Sequence, residues 1–64
     1  MAKLIAIFMT EETNDEGERI GYVDLFDPER LGTVAAPGFD DTEFMTESAA
    51  RRLADERGWA FRLA

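Results

Sequence analysis

Six consecutive apolar residues near the start of the chain, Leu4-Ile5-Ala6-Ile7-Phe8-Met9, restrict its folds more than any other feature. The run has the length and β-branched character of a strand, and it is apolar at every position, so both of its faces call for cover. Runs of this kind suit a central strand rather than an edge. It is far too short to span a bilayer, and it lacks the length and cleavage site of a secretory signal. The chain therefore reads as cytoplasmic, with no membrane association.

Sixty-four residues leave room for a single domain, spanning 1–64. A chain of that size buries only about 60% of its unfolded surface, so its stability is marginal. The hydrophobic fraction of 45%, with five Phe, one Trp and one Tyr, separates it from a disordered acidic tail. Large aromatic side chains bury roughly 150–250 Å² each, and these seven are expected to supply most of the core. A homodimer is one further way for so small a chain to cover apolar surface, and a structural or assembly module that homo-oligomerises through its sheet edge or its helix is the competing reading of its function.

Thr10 to Glu18 is polar throughout and carries the turn formers Asn14, Asp15 and Gly17, a loop longer than a tight turn needs. Arg19 to Phe26 then alternates. Ile20, Tyr22 and Phe26 share one face, interrupted by Asp24, and Val23 and Leu25 share the other. The two runs read as an antiparallel hairpin. Asp27-Pro28-Glu29-Arg30 is turn chemistry, Leu31 to Ala36 is a short third strand, and Pro37-Gly38 ends it. Thr46 to Arg57 reads as a helix with Thr46 as N-cap, Glu47 in the first turn and Ala49, Ala50, Leu53 and Ala54 as a narrow apolar stripe. An earlier start at Asp41 or Thr42 is compatible with the pattern. The spacing offers three ion pairs, Glu47–Arg51, Arg51–Asp55 and Arg52–Glu56, and Gly58 closes the helix. Trp59, Phe61 and Leu63 then alternate along a final strand with their large side chains inward. The order β-β-(β)-α-β predicts an α+β fold, a small antiparallel-rich sheet of three to four strands with one helix packed on one face.

Several chemistries are excluded outright. Without cysteine or histidine, neither a soft zinc site nor an imidazole-dependent nucleophile can be assembled. Ser48, the only serine, has no activating base, and Lys3 is the only lysine. Asp40-Asp41 with Glu43 has the oxygen donors of a hard-cation site, but acids ahead of a helix are better explained by its dipole. Glu12, Asn14, Glu16 and Gly17 resemble the start of a calcium loop, yet the register puts Val23 where the bidentate Glu belongs. We therefore expect no metal, no cofactor and no catalysis.

Charge carries more information than any motif. Fourteen acids oppose seven basic residues, and such a chain is repelled by phosphates, which argues against direct binding to DNA or RNA. Residues 11–47 hold twelve of the acids and only Arg19 and Arg30, a local charge of −10; five cations and two acids elsewhere leave +3. Concentrated like charge costs stability through self-repulsion, and a basic partner would explain it. The expected contact surface comprises Glu11, Glu12, Asp15, Glu16, Glu18, Asp24, Asp27, Glu29, Asp40, Asp41, Glu43 and Glu47. Phe39 and Phe44 are the expected apolar anchors. The plainer explanation is that acidic surfaces keep small proteins soluble.

In length, absence of Cys and His and the acid-rich stretch from Glu11 to Glu47, the chain resembles the small acidic phage proteins that act as anti-CRISPR inhibitors, some of them DNA mimics. That resemblance implies occupation of a basic DNA-binding surface on a CRISPR effector complex in the host cytoplasm, without catalysis. In element order it also resembles HicB-type antitoxins. Gly21-Tyr22-Val23 in the second strand and Asp40-Asp41-Thr42-Glu43 ahead of an Ala-rich helix fit that outline. Only Pro28 and Pro37-Gly38 stand where that family carries a Pro-x-x-Pro-Gly-Cys-like pattern. This second resemblance implies a partner that is a basic RNase toxin. Both imply a protein that covers a nucleic-acid site on its partner.

Overall fold

The structure, a computed structural model, describes residues 3–64 and puts the apolar run at the centre of a sheet. Strand β1 (Ile5–Thr13) pairs antiparallel with β2 (Arg19–Asp27) on one side and parallel with β5 (Ala60–Leu63) on the other. The short β3 (Gly32–Val34) and the two-residue β4 (Met45–Thr46) pair one after the other along the outer side of β2. Helix α1 (Glu47–Arg57) packs on one face. The result is the expected α+β architecture, with a mixed sheet in the order β3-β2-β1-β5.

Local hydrogen bonding makes the hairpin longer, and its loop tighter, than composition implied. Asn14 Oδ1 accepts the backbone N–H groups of Glu16 (3.0 Å) and Glu18 (2.9 Å), and the Asn14 N–H donates to the Glu18 carbonyl (2.9 Å). Gly17 supplies the positive φ of 82° that closes the turn. Five residues therefore suffice for the loop, and the ladder runs on to the Thr13–Arg19 pair, with a bulge between Thr10 and Glu12. The third strand is shorter than expected. Leu31 takes a left-handed φ of 55°, and Ala36 already accepts the Phe39 N–H in the next turn, so only Gly32–Val34 pair.

Helix α1 starts where a capping side chain is available. Thr46 Oγ1 accepts the Ala49 N–H (3.2 Å), and Gly58, at φ 74°, closes the other end. The earlier start does not form. Asp40 instead turns the chain by accepting the Thr42 N–H and hydroxyl, and Met45–Thr46 is drawn into the sheet. Ala50 and Ala54 lie under the helix and, with Ala6, Phe8, Val23 and Leu25, are at most 1% exposed. Two alanines at that contact let the helix backbone approach the sheet closely.

The aromatic residues do not converge on that core as expected. Phe8 alone is fully buried, Phe39, Trp59 and Phe61 fringe the helix side, and Tyr22 and Phe26 lie on the opposite face with Phe44 against Tyr22. Ile5, Ile7 and Met9 point to that same helix-free face. The central strand is thus covered on one side only within the described chain. No helix among the described residues is long and apolar enough to cross a membrane.

Gly21 is buried opposite Thr10, beside the bulge, where a Cβ would overlap the carbonyl oxygen of Met9. Neither backbone can yield without loss of the ladder. Gly21→Ala is expected to cost about 3 kcal/mol, at the upper end for overpacking, and to lower Tm by more than about 10 °C in a thermal melt.

Candidate functional site

The long β2 strand arranges the acidic residues in space. Its nine residues span about 26 Å at ~3.3 Å per residue, and each end opens into an acid-bearing turn. Asp15 and Glu16 stand exposed at the hairpin tip with Glu18 beside them, and Glu11 and Glu12 emerge at the β1 bulge. At the far end, Asp27 accepts the Glu29 N–H (2.9 Å), and its backbone carbonyl takes the Leu31 N–H (2.8 Å). Between them, Asp40, Asp41 and Glu43 occupy the exposed connection from β3 to β4, which runs beside the outer side of β2. Acidic residues thus occur at both ends of β2 and in the connection that leads into β4, and together they are termed the acidic rim. Ten of the twelve carboxylates between positions 11 and 47 have no cation within 4.0 Å among the described residues.

Not every expected contact residue joins the rim. Asp24 projects from the middle of the sheet onto the helix-free face, opposite Ile7. Phe39 is turned inward, edge-to-face with Trp59 at 5.4 Å, so it is a packing residue rather than a free anchor. Phe44 is 52% exposed and rests on Tyr22 (6.0 Å) beside Asp41 and Thr42, an accessible apolar spot within the acidic connection.

Glu47 serves as a clamp. It accepts from Arg19 Nη1 and from Arg51 Nε, both at 3.0 Å, tying the hairpin to the first turn of α1. Ser48 Oγ donates to Glu18 (2.6 Å) across the same junction. Of the three helix pairs predicted, only Glu47–Arg51 forms; the Arg51 guanidinium also lies over the Phe61 ring at 4.4 Å. Asp27 meets only an exposed arginine, Arg30, at 3.7 Å, a contact of little energetic weight.

One residue escaped sequence reasoning. Leu31 is 79% exposed at the β2–β3 turn, next to Asp27 and Glu29, and it holds a backbone conformation that costs a non-glycine residue roughly 1–2 kcal/mol. An isolated leucine after a turn carries no signal of this; only the φ angle and the exposure reveal it. No group of three carboxylates among the described residues is placed to hold a metal ion. Comparison with protein-family models, with curated proteins and with solved structures finds no match for this chain.

Two carboxyls have their pKa lowered. Asp40 is held down by the Thr42 hydroxyl and then by the Thr42 N–H. Glu47 is held below its ordinary 4.5 by hydrogen bonds from Arg19 and Arg51. A depressed carboxylate pKa contributes stability that is present above its unfolded value and is lost as pH falls through the folded one. Glu47→Gln is therefore expected to lower Tm at pH 7, and the two melting temperatures should converge as pH is taken from about 5 toward 3; parallel curves would contradict the clamp. Leu31→Asn, which relieves the left-handed strain, is expected to raise stability by about 1 kcal/mol in urea unfolding.

Proposed function

We propose that this chain is a non-catalytic cytoplasmic inhibitor whose acidic rim occupies a basic nucleic-acid-binding surface on a partner protein. The observation that carries this reading is the set of exposed carboxylates, most without an ion-pair partner among the described residues, at the two ends of β2 and in the connection from β3 to β4. Over about 26 Å, one DNA strand presents about eight phosphates at ~3.4 Å of helix axis each. A rim of comparable length and sign meets the same arginines and lysines. Charge brings the partners together quickly and in register, and the exposed Leu31 and Phe44 at two points of the rim supply apolar contact. A CRISPR effector subunit is one partner of this chemistry.

A second reading, an antitoxin that covers a basic RNase, draws on the order of elements: a hairpin carrying Gly21-Tyr22-Val23, a short third strand, a helix and a closing strand. It uses the same rim, and the identity of the captured partner separates the two.

With the partner captured on immobilised chain, raising salt from about 50 to 200 mM is expected to weaken binding by about 100-fold or more, the scale on which phosphate-binding surfaces respond. A DNA or RNA duplex should compete. The paired reversals Asp40→Lys/Asp41→Lys and Asp15→Lys/Glu16→Lys should each lower affinity about tenfold or more with Tm nearly unchanged. Binding indifferent to salt and to both reversals would overturn the proposal.

A further inference from the structure

The helix-free face of the sheet meets the acidic rim only at Phe44, which rests on Tyr22, and it is apolar enough to call for cover. Ile5, Ile7, Met9, Tyr22 and Phe26 point to it, none of them belongs to the cluster under α1, and no helix or other strand among the described residues packs over it. Strand register orders this face into rows. Asp24, Ile7 and Arg62 form one row, and Phe26, Ile5 and Ala60 the next. Tyr22 and Met9 form a third, extended by Ala64, whose N–H donates to the Phe8 carbonyl (3.0 Å). Every row therefore runs from a bulky or acidic residue on the β2 side, through an unbranched or β-branched aliphatic on β1, to a small or basic residue beside it.

That gradient is self-complementary. A second copy turned by 180° about an axis along β1 sets Ile5, Ile7 and Met9 against themselves. The same rotation puts Phe26 over Ala60, Tyr22 over Ala64 and Asp24 over Arg62 of the second copy, with each contact repeated by symmetry. Neither Asp24 nor Arg62 makes an ion pair within its own chain among the described residues. Covering either charge with apolar surface is unfavourable unless an opposite charge arrives with the cover. The occupant must therefore present a cation and an anion about 10 Å apart, two strand spacings, and flanking an aliphatic ridge. A second copy of this chain meets that requirement. Two sheets stacked this way lie about 10 Å apart with their central strands side by side in direction.

We propose that the protein is a homodimer packed through this face, with reciprocal Asp24–Arg62 ion pairs on either side of an Ile7–Ile7 contact. The two-fold sends the acidic rims to opposite edges, so this inference stands independently of the proposed inhibition, and rim reversals at Asp40 and Asp41 should not alter it. Sedimentation equilibrium of the full chain at micromolar concentration is expected to give twice the monomer mass. Asp24→Arg or Arg62→Asp alone, by setting like charges opposite each other, should raise the dimer Kd about tenfold or more, and the double exchange Asp24→Arg/Arg62→Asp should restore it. Ile7→Glu should give a folded monomer, checked by circular dichroism. A monomeric wild type at about 100 µM, single variants that dimerise normally, or a double exchange that fails to recover would each overturn the proposal.

Discussion

The structure depends on β1 having a strand on each side and a helix on only one of its faces. Antiparallel pairing with β2 and parallel pairing with β5 satisfy the backbone groups of the apolar run. The close approach of Ala50 and Ala54 then removes Phe8, Val23 and Leu25 from water. Among the described residues only three large side chains are fully buried, all on the helix side, so the core that area burial can stabilise is small. The Glu47 clamp and the Gly21 contact matter more in such a domain than they would in a large one.

Charge placement and strand protection coincide along β2. Its outer side is lined by two very short strands and an acidic connection rather than by another full-length strand. Short strands and charged side chains are common ways of blunting an edge against unwanted pairing. The carboxylates proposed to meet a basic partner therefore also discourage a neutral chain from adding to the sheet. Positive charge gathers elsewhere: Arg52 and Arg57 on the helix and Arg62 on β5 have no carboxylate within 4.0 Å among the described residues, and Arg57 stacks over Trp59 at 5.5 Å.

Much of this is legible in the sequence. The α+β order, the hairpin, the Thr46 cap and the Gly58 terminus all follow from short-range signals, because caps and turns are decided by side chains next to the backbone groups they satisfy. Parallel pairing of β5 with β1 was not legible, since it joins opposite ends of the described chain and leaves no local mark. The loop is shorter than its polar stretch suggests because a single Asn14 side chain satisfies two amides, which composition does not display. Within the site, alternation placed Asp24 on the face away from Val23 and Leu25. Nothing in the pattern told that Phe39 would find Trp59 while Phe44 stayed exposed. The Glu47–Arg51 pair follows from helical spacing, but the second partner of Glu47, Arg19, lies 28 positions away, beyond any such rule.

The parallel β1–β5 contact also bears on how the chain reaches its native state. The β1–β2 hairpin closes through near neighbours and can form within microseconds. The other side of β1 must wait for a segment delivered by the helix, a non-local closure of the kind that slows folding. During that interval the apolar central strand exposes an unprotected row of hydrogen-bonding groups. Another molecule's β5 could fill that row in place of its own, so strand exchange between chains is the characteristic misassembly this topology invites.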